Sequence, residues 1–316
     1  MEAMNTESLA KAIYIIGNGV IAKALAVALS GKGKDVIIIR GSVDGQPDYT
    51  ENMEVEVEGG TLQAGITISS LSNYTALDGM ILLTNKSFGN EKLAEKLKSK
   101  AKNTPIVFLQ NGLHIEDSFI KLGFTELYRC VLLATSQSVS AHKVRFRLVA
   151  PSPVGLIKGS NEVLHHLVNE LNTAVFSFRE EPDIQKVIWK KVISNCVFNS
   201  ICPLLEIDNG VFHRNEAALE IAKTVINECI AVANENGIDL TMDEVLQNVI
   251  AISKMSDGQK ISTYQDILNK RETEIETLNF AVAKVSLLTG KNLVPVTALL
   301  GELTRIKSGL SRIDRV

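Results

Sequence analysis

The sequence predicts an α/β N-terminal domain with a mostly parallel, doubly wound sheet, followed by an all-α C-terminal domain. Three observations carry this expectation. From Ala12 to about Lys158 short apolar runs alternate with helix-like segments, the pattern of parallel strands joined by crossover helices. A glycine-rich loop, Gly17-Asn18-Gly19, stands between the first apolar run and the first helical segment. After Asp183 the pattern is almost wholly helical, with Gly and Pro confined to expected helix ends at Gly210, Gly237, Gly290 and Pro295. The break is placed at Pro182, giving domains 1–182 and 183–316, because 316 residues exceed one ordinary core.

In order, Ala12 to Ile16 reads as the first strand, Val20 to Leu29 as a helix, and Asp35 to Arg40 as the second strand. Met53 to Ile68, with Gly59-Gly60 as its turn signal, reads as an extended insertion. Met80 to Thr84 and Ile106 to Leu109 are expected as buried strands, separated by a lysine-rich helix, Glu91 to Lys102. Val131 to Ala134 and Val144 to Val149 are expected to pair antiparallel at the sheet edge.

Apolar residues make up 45% of the chain and charged residues 22%, ordinary for a globular protein. A formal net charge of -3 argues against a nucleic-acid partner, which calls for a basic excess. Cys130, Cys196, Cys202 and Cys229 form no CxxC pair and no metal spacing, so they are expected as free buried thiols in a reducing compartment, with no metal. Met1 to Lys11 lacks the apolar core of a signal peptide, and no run reaches the ~18 apolar residues of a membrane span. The expected location is the cytoplasm, without a membrane partner.

Gly17-Asn18-Gly19-Val20-Ile21-Ala22 is a GxGxxA loop between strand and helix, the Rossmann arrangement for a dinucleotide. Gly17 permits the tight turn, Gly19 lets backbone approach a pyrophosphate, and Ala22 allows close helix–strand packing. The helix N-terminus offers free N–H groups to the phosphates. A purely structural turn is the competing reading. The second strand ends in Arg40, 23 residues after Gly17, where an NAD site usually carries an acid. The planar guanidinium suits a 2′-phosphate, so NADP is the expected cofactor; an ordinary surface arginine is the alternative.

Farther on, Lys191, Asn195 and Asn199 fall at i, i+4 and i+8, one polar stripe on an otherwise apolar helix. Such a stripe fits the lining of a pocket for a carbonyl and a carboxylate; periodicity alone fits a solvated helix face equally well. Thr273 with Glu276 matches a capping box, which makes Glu274 a first-turn acid.

Together these motifs resemble the ketopantoate reductase (2-dehydropantoate 2-reductase) family over essentially the whole chain. The Gly17–Ala22 loop is similar to its cofactor loop, Arg40 to its NADP-selecting arginine, and Lys86 in Thr84-Asn85-Lys86 to its strand-end lysine. Gln110-Asn111-Gly112 resembles the turn beside nicotinamide and substrate. Trp189-Lys190-Lys191 through Asn195 and Asn199 resembles its W-x-K-x-x-x-N-x-x-x-N helix. Ser262 to Asp266 and Arg271 to Ile275 resemble its S-x-x-Q-D and R-x-T-E-I signature. The chain departs from the family at His114, where Asn-Gly-x-Gly is usual, and at Phe280 after Asn279, where Asn-Gly is usual.

The resemblance implies an NADP-dependent oxidoreductase acting on CH-OH, which reduces a 2-oxo acid, in the first instance 2-dehydropantoate. Lys191 would be the proton donor, with Glu274 orienting it and contacting the ligands. Asn111, Asn195, Asn199 and Ser262 would bind substrate, and Asn111, Glu274 and Lys86 would also meet the cofactor. A homodimer is one assembly left open. The competing functions are a related 2-oxo acid or opine-type reductase, an NADP-sensing regulator without turnover, and a helical scaffold with a vestigial dinucleotide domain.

Overall fold

The computed structural model describes residues 12–41 and 43–313. The leader expectation on Met1 to Lys11, and Ser42 beside the strand-end arginine, lie outside the described residues. The chain divides into two compact units: Met1–Gln110 with Glu116–Ile184, and Asn111–Ile115 with Gln185–Val316.

The first unit opens with β1 (Ile13–Ile16), α1 (Val20–Gly31) and β2 (Val36–Arg40). The inserted hairpin β3 (Tyr49–Val57) and β4 (Gly60–Ser70) follows, then β5 (Met80–Leu83), α2 (Asn90–Leu97) and β6 (Ile106–Phe108). After α3 (Asp117–Lys121) come β7 (Leu127–Cys130), β8 (Ala134–Ser138), β9 (Lys143–Leu148), β10 (Ser152–Lys158), α4 (Asn161–Leu171) and β11 (Phe178–Glu180). They form one sheet in the order β11-β10-β7-β6-β5-β1-β2-β4-β3-β9-β8. Among the described residues its pairings are antiparallel only at β7/β10, β3/β4 and β8/β9.

The fully apolar runs of β1 and β5 need cover on both faces, as parallel strands do. α1 supplies part of that cover. Its buried Ala22, Ala24, Ala26 and Ala28 bring the helix close to the sheet, while Leu25 and Leu29 fill the core.

The late strands differ from expectation. Val131 to Ala134 is not a strand as a run. The strand lies earlier, at Leu127–Cys130, and Ala134 begins β8, which pairs antiparallel with β9. α2 ends at Leu97 rather than Lys102. β10, α4 and β11 stand where the sequence reading assigned no element.

The second unit is helical: α5 (Ile184–Leu205), α6 (Val211–Arg214), α7 (Glu216–Glu235), α8 (Met242–Met255), α9 (Ser262–Leu268), α10 (Asn279–Leu288) and α11 (Pro295–Arg312). Local chemistry sets several starts. The Asn215 side chain accepts from Ala218 N–H, and Thr241 and Glu244 complete a capping box on α8. The expected helix start at Thr273 is corrected: Ile275–Thr277 is a single 3₁₀ turn, and the α-helix begins only at Asn279. None of the described helices is long and apolar enough to cross a membrane. All four cysteines are free and buried, and burial pushes the Cys130 and Cys202 thiols up to about 12.

Candidate active site

In the first unit the residues expected at a cofactor gather at the carboxyl ends of β1, β2, β4 and β5, where doubly wound sheets bind ligands. Gly17 has φ +120°, and a Cβ there would meet Thr84 Oγ1 at 2.7 Å and Asn85 N at 2.8 Å. Only glycine fits this turn. Beyond it, Asn18 and Gly19 are exposed, and nothing lies within 4 Å of the position a Cβ would take on Gly19. Gly19 caps α1 with no side-chain hydrogen bond, and no acid sits in the first turn. The first N–H groups of α1 therefore have no side-chain cap from Gly19, the arrangement that suits an anion at a helix start. Val20 and Ile21 are half-buried behind the loop, and Ala22 is fully buried against the sheet.

Arg40 is held in place at the end of β2. One of its terminal nitrogens donates to Gln46 Oε1 at 2.7 Å, and its guanidinium carbon lies 5.5 Å from the Tyr49 ring centre. Its Nε is buried without a hydrogen-bond partner among the described residues, as are Ser70 Oγ, level with it on β4, and the acceptor Asn85 Oδ1. Orphaned buried polar atoms at a strand-end edge are what a ligand with phosphates and hydroxyls would satisfy. Gln46, Tyr49 and Ser70 had no motif to mark them in the sequence; the hairpin's return brings them to Arg40.

Lys86 follows Asn85 in the loop after β5 and is half-buried. That loop is tied down by a buried amide pair. Asn90 Nδ2 donates to Gln110 Oε1, and Gln110 Nε2 donates to Asn90 Oδ1 and to the Asn85 carbonyl, each at 2.8 Å. Gln110 is also the last residue before the Asn111–Ile115 segment, whose far stem is fixed by the buried Glu116–Arg129 ion pair at 2.7 Å.

In the second unit the Asn111 segment meets the Glu274 turn. Leu113 N–H donates to the Thr277 carbonyl at 2.9 Å, and a Cβ on Gly112, at φ +116°, would lie 2.5 Å from Thr277 Cβ. Thr277 Oγ1 in turn donates to the Glu274 carbonyl at 3.2 Å, and Glu274 is 9% exposed. His114, at the position where the resemblance expects glycine, holds φ 56°, a left-handed conformation that costs a Cβ-bearing residue roughly 1–2 kcal/mol. Phe280, the other departure, packs on α11 near Gly301, beneath the Arg305 guanidinium at 5.3 Å.

Lys191, Asn195 and Asn199 share one continuous helix, α5, and one stripe of it. Lys191 is only partly exposed, and burial alone pushes its ammonium below the ordinary lysine range; no acid contributes. Among the described residues it forms no ion pair, so Glu274 is not its counter-ion. Asn195 is buried in the next turn. Asn199 Oδ1 accepts from Thr263 N–H at 3.2 Å and from Ser262 Oγ at 3.3 Å, so it caps α9 from outside and holds the exposed Ser262 on the stripe. This double duty changes what mutation should do. Ser262→Ala should keep the fold and raise KM for an oxo-acid substrate by several-fold to about a hundredfold, the range for a lost hydrogen bond to a neutral or charged group. Asn199→Ala should also lower stability by about 1–3 kcal/mol, because it strands a buried N–H. Steady-state kinetics beside thermal melts check both, and a flat KM in the two variants removes the stripe from the substrate site.

Two sequence-family models match the chain: ketopantoate reductase PanE/ApbA over residues 13–152, and the C-terminal domain of the same family over residues 183–307. The chain belongs to the ketopantoate reductase family. Among curated relatives, the 2-dehydropantoate 2-reductase of Pyrococcus horikoshii is 27% identical over 304 residues, covering 94% of this chain and 98% of that protein. That of Streptococcus pyogenes serotype M3 is 26% identical over 307 residues, covering 96% and 99%. Among solved structures, D-mandelate dehydrogenase with NADH and anilino(oxo)acetate superposes with a TM-score of 0.83 at 23% identity, covering 96% of this chain and all of that one. A PanE/ApbA family ketopantoate reductase from Ralstonia eutropha gives 0.81 at 21%, with the same coverage. A dimeric ketopantoate reductase from Staphylococcus aureus gives 0.79 at 16%, covering 95% and 99%. Ketopantoate reductase family membership thus spans both units, with the glycine loop in the first model's range and Lys191, Asn195, Asn199, Ser262 and Glu274 in the second's.

Proposed function

We propose that this protein is an NADPH-dependent reductase of a 2-oxo acid, with 2-dehydropantoate, reduced to pantoate for pantothenate and coenzyme A synthesis, as the substrate its family points to. The observation that carries the reading is a largely buried ammonium at Lys191, without an ion pair among the described residues, on the same helical stripe as two amides. Burying a cation without a counter-ion costs stability, and an anionic substrate that arrives with its own charge supplies the compensation.

On this reading residues 1–182 hold the cofactor and 183–316 the substrate and proton donor. Gly17, Gly19 and the start of α1 would hold the pyrophosphate, Arg40 the 2′-phosphate, and Lys86 and Asn111 the remaining polar edge. A bound nicotinamide dinucleotide supplies the hydride. Lys191 polarises the ketone, stabilises the negative charge that grows on its oxygen, and donates the proton that makes the hydroxyl. Its lowered proton affinity makes it a better acid than a solvated lysine. Asn195 and Ser262 hydrogen-bond the carboxylate and hydroxyl without adding charge, Asn199 positions Ser262, and Glu274 contacts the ligands from the turn that carries the Asn111 segment.

A second reading keeps the chemistry and changes the side chain of the substrate. D-mandelate dehydrogenase shares the fold, and the chain carries His114 and Phe280 where the family usually has glycine. The test is NADPH consumption by the purified protein with 2-dehydropantoate beside aliphatic and aromatic 2-oxo acids. Turnover is expected to favour 2-dehydropantoate. Preference for an aromatic acid moves the protein to the second reading, and NADPH binding with no turnover on any 2-oxo acid makes it a sensor.

A further inference from the structure

Arg40 does not stand alone at the end of β2. Asp44 to Asp48, the residues that lead into β3, form a loop whose own sequence stiffens it. Gly45 takes a left-handed φ of 73°, and Pro47 fixes its own φ and disfavours the helical region for Gln46. The loop returns onto the end of β4 and the 3₁₀ turn Leu71–Asn73 that follows it. Gly45 N–H donates to Ser72 Oγ at 2.9 Å, and Ser69 Oγ donates to Asp48 Oδ1 at 2.5 Å.

Asn73 makes the widest tie. Its Nδ2 donates to the Gln46 carbonyl at 2.9 Å and to Asp48 Oδ1 at 2.7 Å, with Ser69 Oγ beside them at 3.4 Å. The two residues it pins govern the groups that hold the guanidinium. The Gln46 side chain accepts from Arg40 at 2.7 Å, and Asp48 is followed by Tyr49, whose ring centre lies 5.5 Å from the guanidinium carbon. A further tie, Asp44 with Lys96 on α2 at 2.7 Å, is half exposed on both sides and contributes little.

On the NADP reading above, on which this rests, we propose that Asn73 is a positioning residue for cofactor choice. By pinning the Asp44 to Asp48 loop it presets Arg40 for a 2′-phosphate that Asn73 itself does not touch. An arginine side chain has many rotamers to lose when it grips a phosphate, and one already held by an amide oxygen and a ring loses fewer. The hydrogen bonds of Asn73 to the loop lie at the surface, where water replaces each at little net cost to the fold. What they fix is the place of Gln46 and Tyr49, and through them the direction of Arg40.

Calorimetric titration of NADPH and NADH, and of adenosine 2′,5′-bisphosphate and 5′-AMP, tests this without turnover. Asn73→Ala should raise the dissociation constants of NADPH and the bisphosphate by roughly three- to tenfold, the range for one net hydrogen bond. NADH, 5′-AMP and the melting temperature should be nearly unaffected. In an Arg40→Ala background the same change should have no further effect on NADPH, because the residue it positions is gone. Asn73→Asp alone sets two carboxylates together and should deepen the loss. Asn73→Asp with Asp48→Asn, which exchanges donor and acceptor, should recover part of it. Equal losses for NADPH and NADH, or an undiminished loss in the Arg40→Ala background, would overturn the proposal. A wild type that binds both cofactors equally would overturn the NADP reading and this inference with it. A preference that Arg40→Ala removes and Asn73→Ala leaves intact would overturn this inference alone.

Discussion

Replacing Lys191 with alanine is expected to lower kcat by about 10²–10⁴-fold, the usual contribution of a positioned general acid, while NADPH affinity stays nearly unchanged. Lys191→Met, which keeps the length and removes the proton, should do the same. Neither change should unfold the protein, because a largely buried charge without an ion pair among the described residues is being removed, and a slight gain in stability is the natural outcome. Single-turnover rates separate chemistry from product release. A variant that keeps more than about a third of wild-type turnover, with chemistry rate-limiting, rules Lys191 out as proton donor.

The same residue sets a pH signature. With Lys191 as the proposed proton donor, its protonated form would be the active one; burial lowers its folded-state proton affinity, so kcat should fall on the alkaline side below the ordinary lysine value of ~10.4. The sign for stability is opposite. Between the folded and unfolded values the unfolded chain binds more protons, so stability attributable to Lys191 rises with pH across that window. Activity falls where stability rises. A global alkaline unfolding would make both fall together, and this divides the two causes.

Removing the Arg40 guanidinium is expected to abolish most of a preference for NADPH over NADH of roughly ten- to a hundredfold, the effect of one charge-assisted contact of about 1.5–3 kcal/mol. NADH affinity should change little, since on the proposed reading the pyrophosphate would be held by the glycine loop and not by Arg40. The structure adds a smaller companion effect. Gln46 holds the guanidinium at 2.7 Å, so Gln46→Ala should loosen the preference without removing it. Fluorescence titration of both cofactors into the three proteins tests this, and equal wild-type affinities would remove Arg40 from that role.

Much of the candidate site was legible because its signals are local. The turn at Gly17 and the i, i+4, i+8 stripe on α5 depend on backbone geometry within a few residues, which sequence spacing encodes. Harder were the places where a partner far along the chain decides. Leu127–Cys130 carries Arg129, a charge that a buried strand holds only with a partner, and Glu116 on another element supplies that partner at 2.7 Å. β10 carries Pro153 and Gly155, which disguise a strand in sequence, and it is held by β7 and β11 on either side. The helix expected from Thr273 stops after one turn because Leu113 N–H, more than 150 residues upstream, takes the Thr277 carbonyl that a continuing helix would need.

From residues alone the chain declared its fold class, its glycine loop, Arg40 at a strand end and the Lys191 stripe, since each follows from short-range stereochemistry. Tertiary structure decided three things. It placed Gln46, Tyr49 and Ser70 around Arg40, and it set Asn199 to cap α9. It also turned the aliphatic stripe of α11, Leu299, Leu303, Ile306 and Leu310, outward, because only the small residues Thr297, Gly301, Thr304 and Ser308 fit where that helix lies against α7 and α10. Periodicity reveals that a helix has two faces, but which face is buried depends on how closely its neighbours approach.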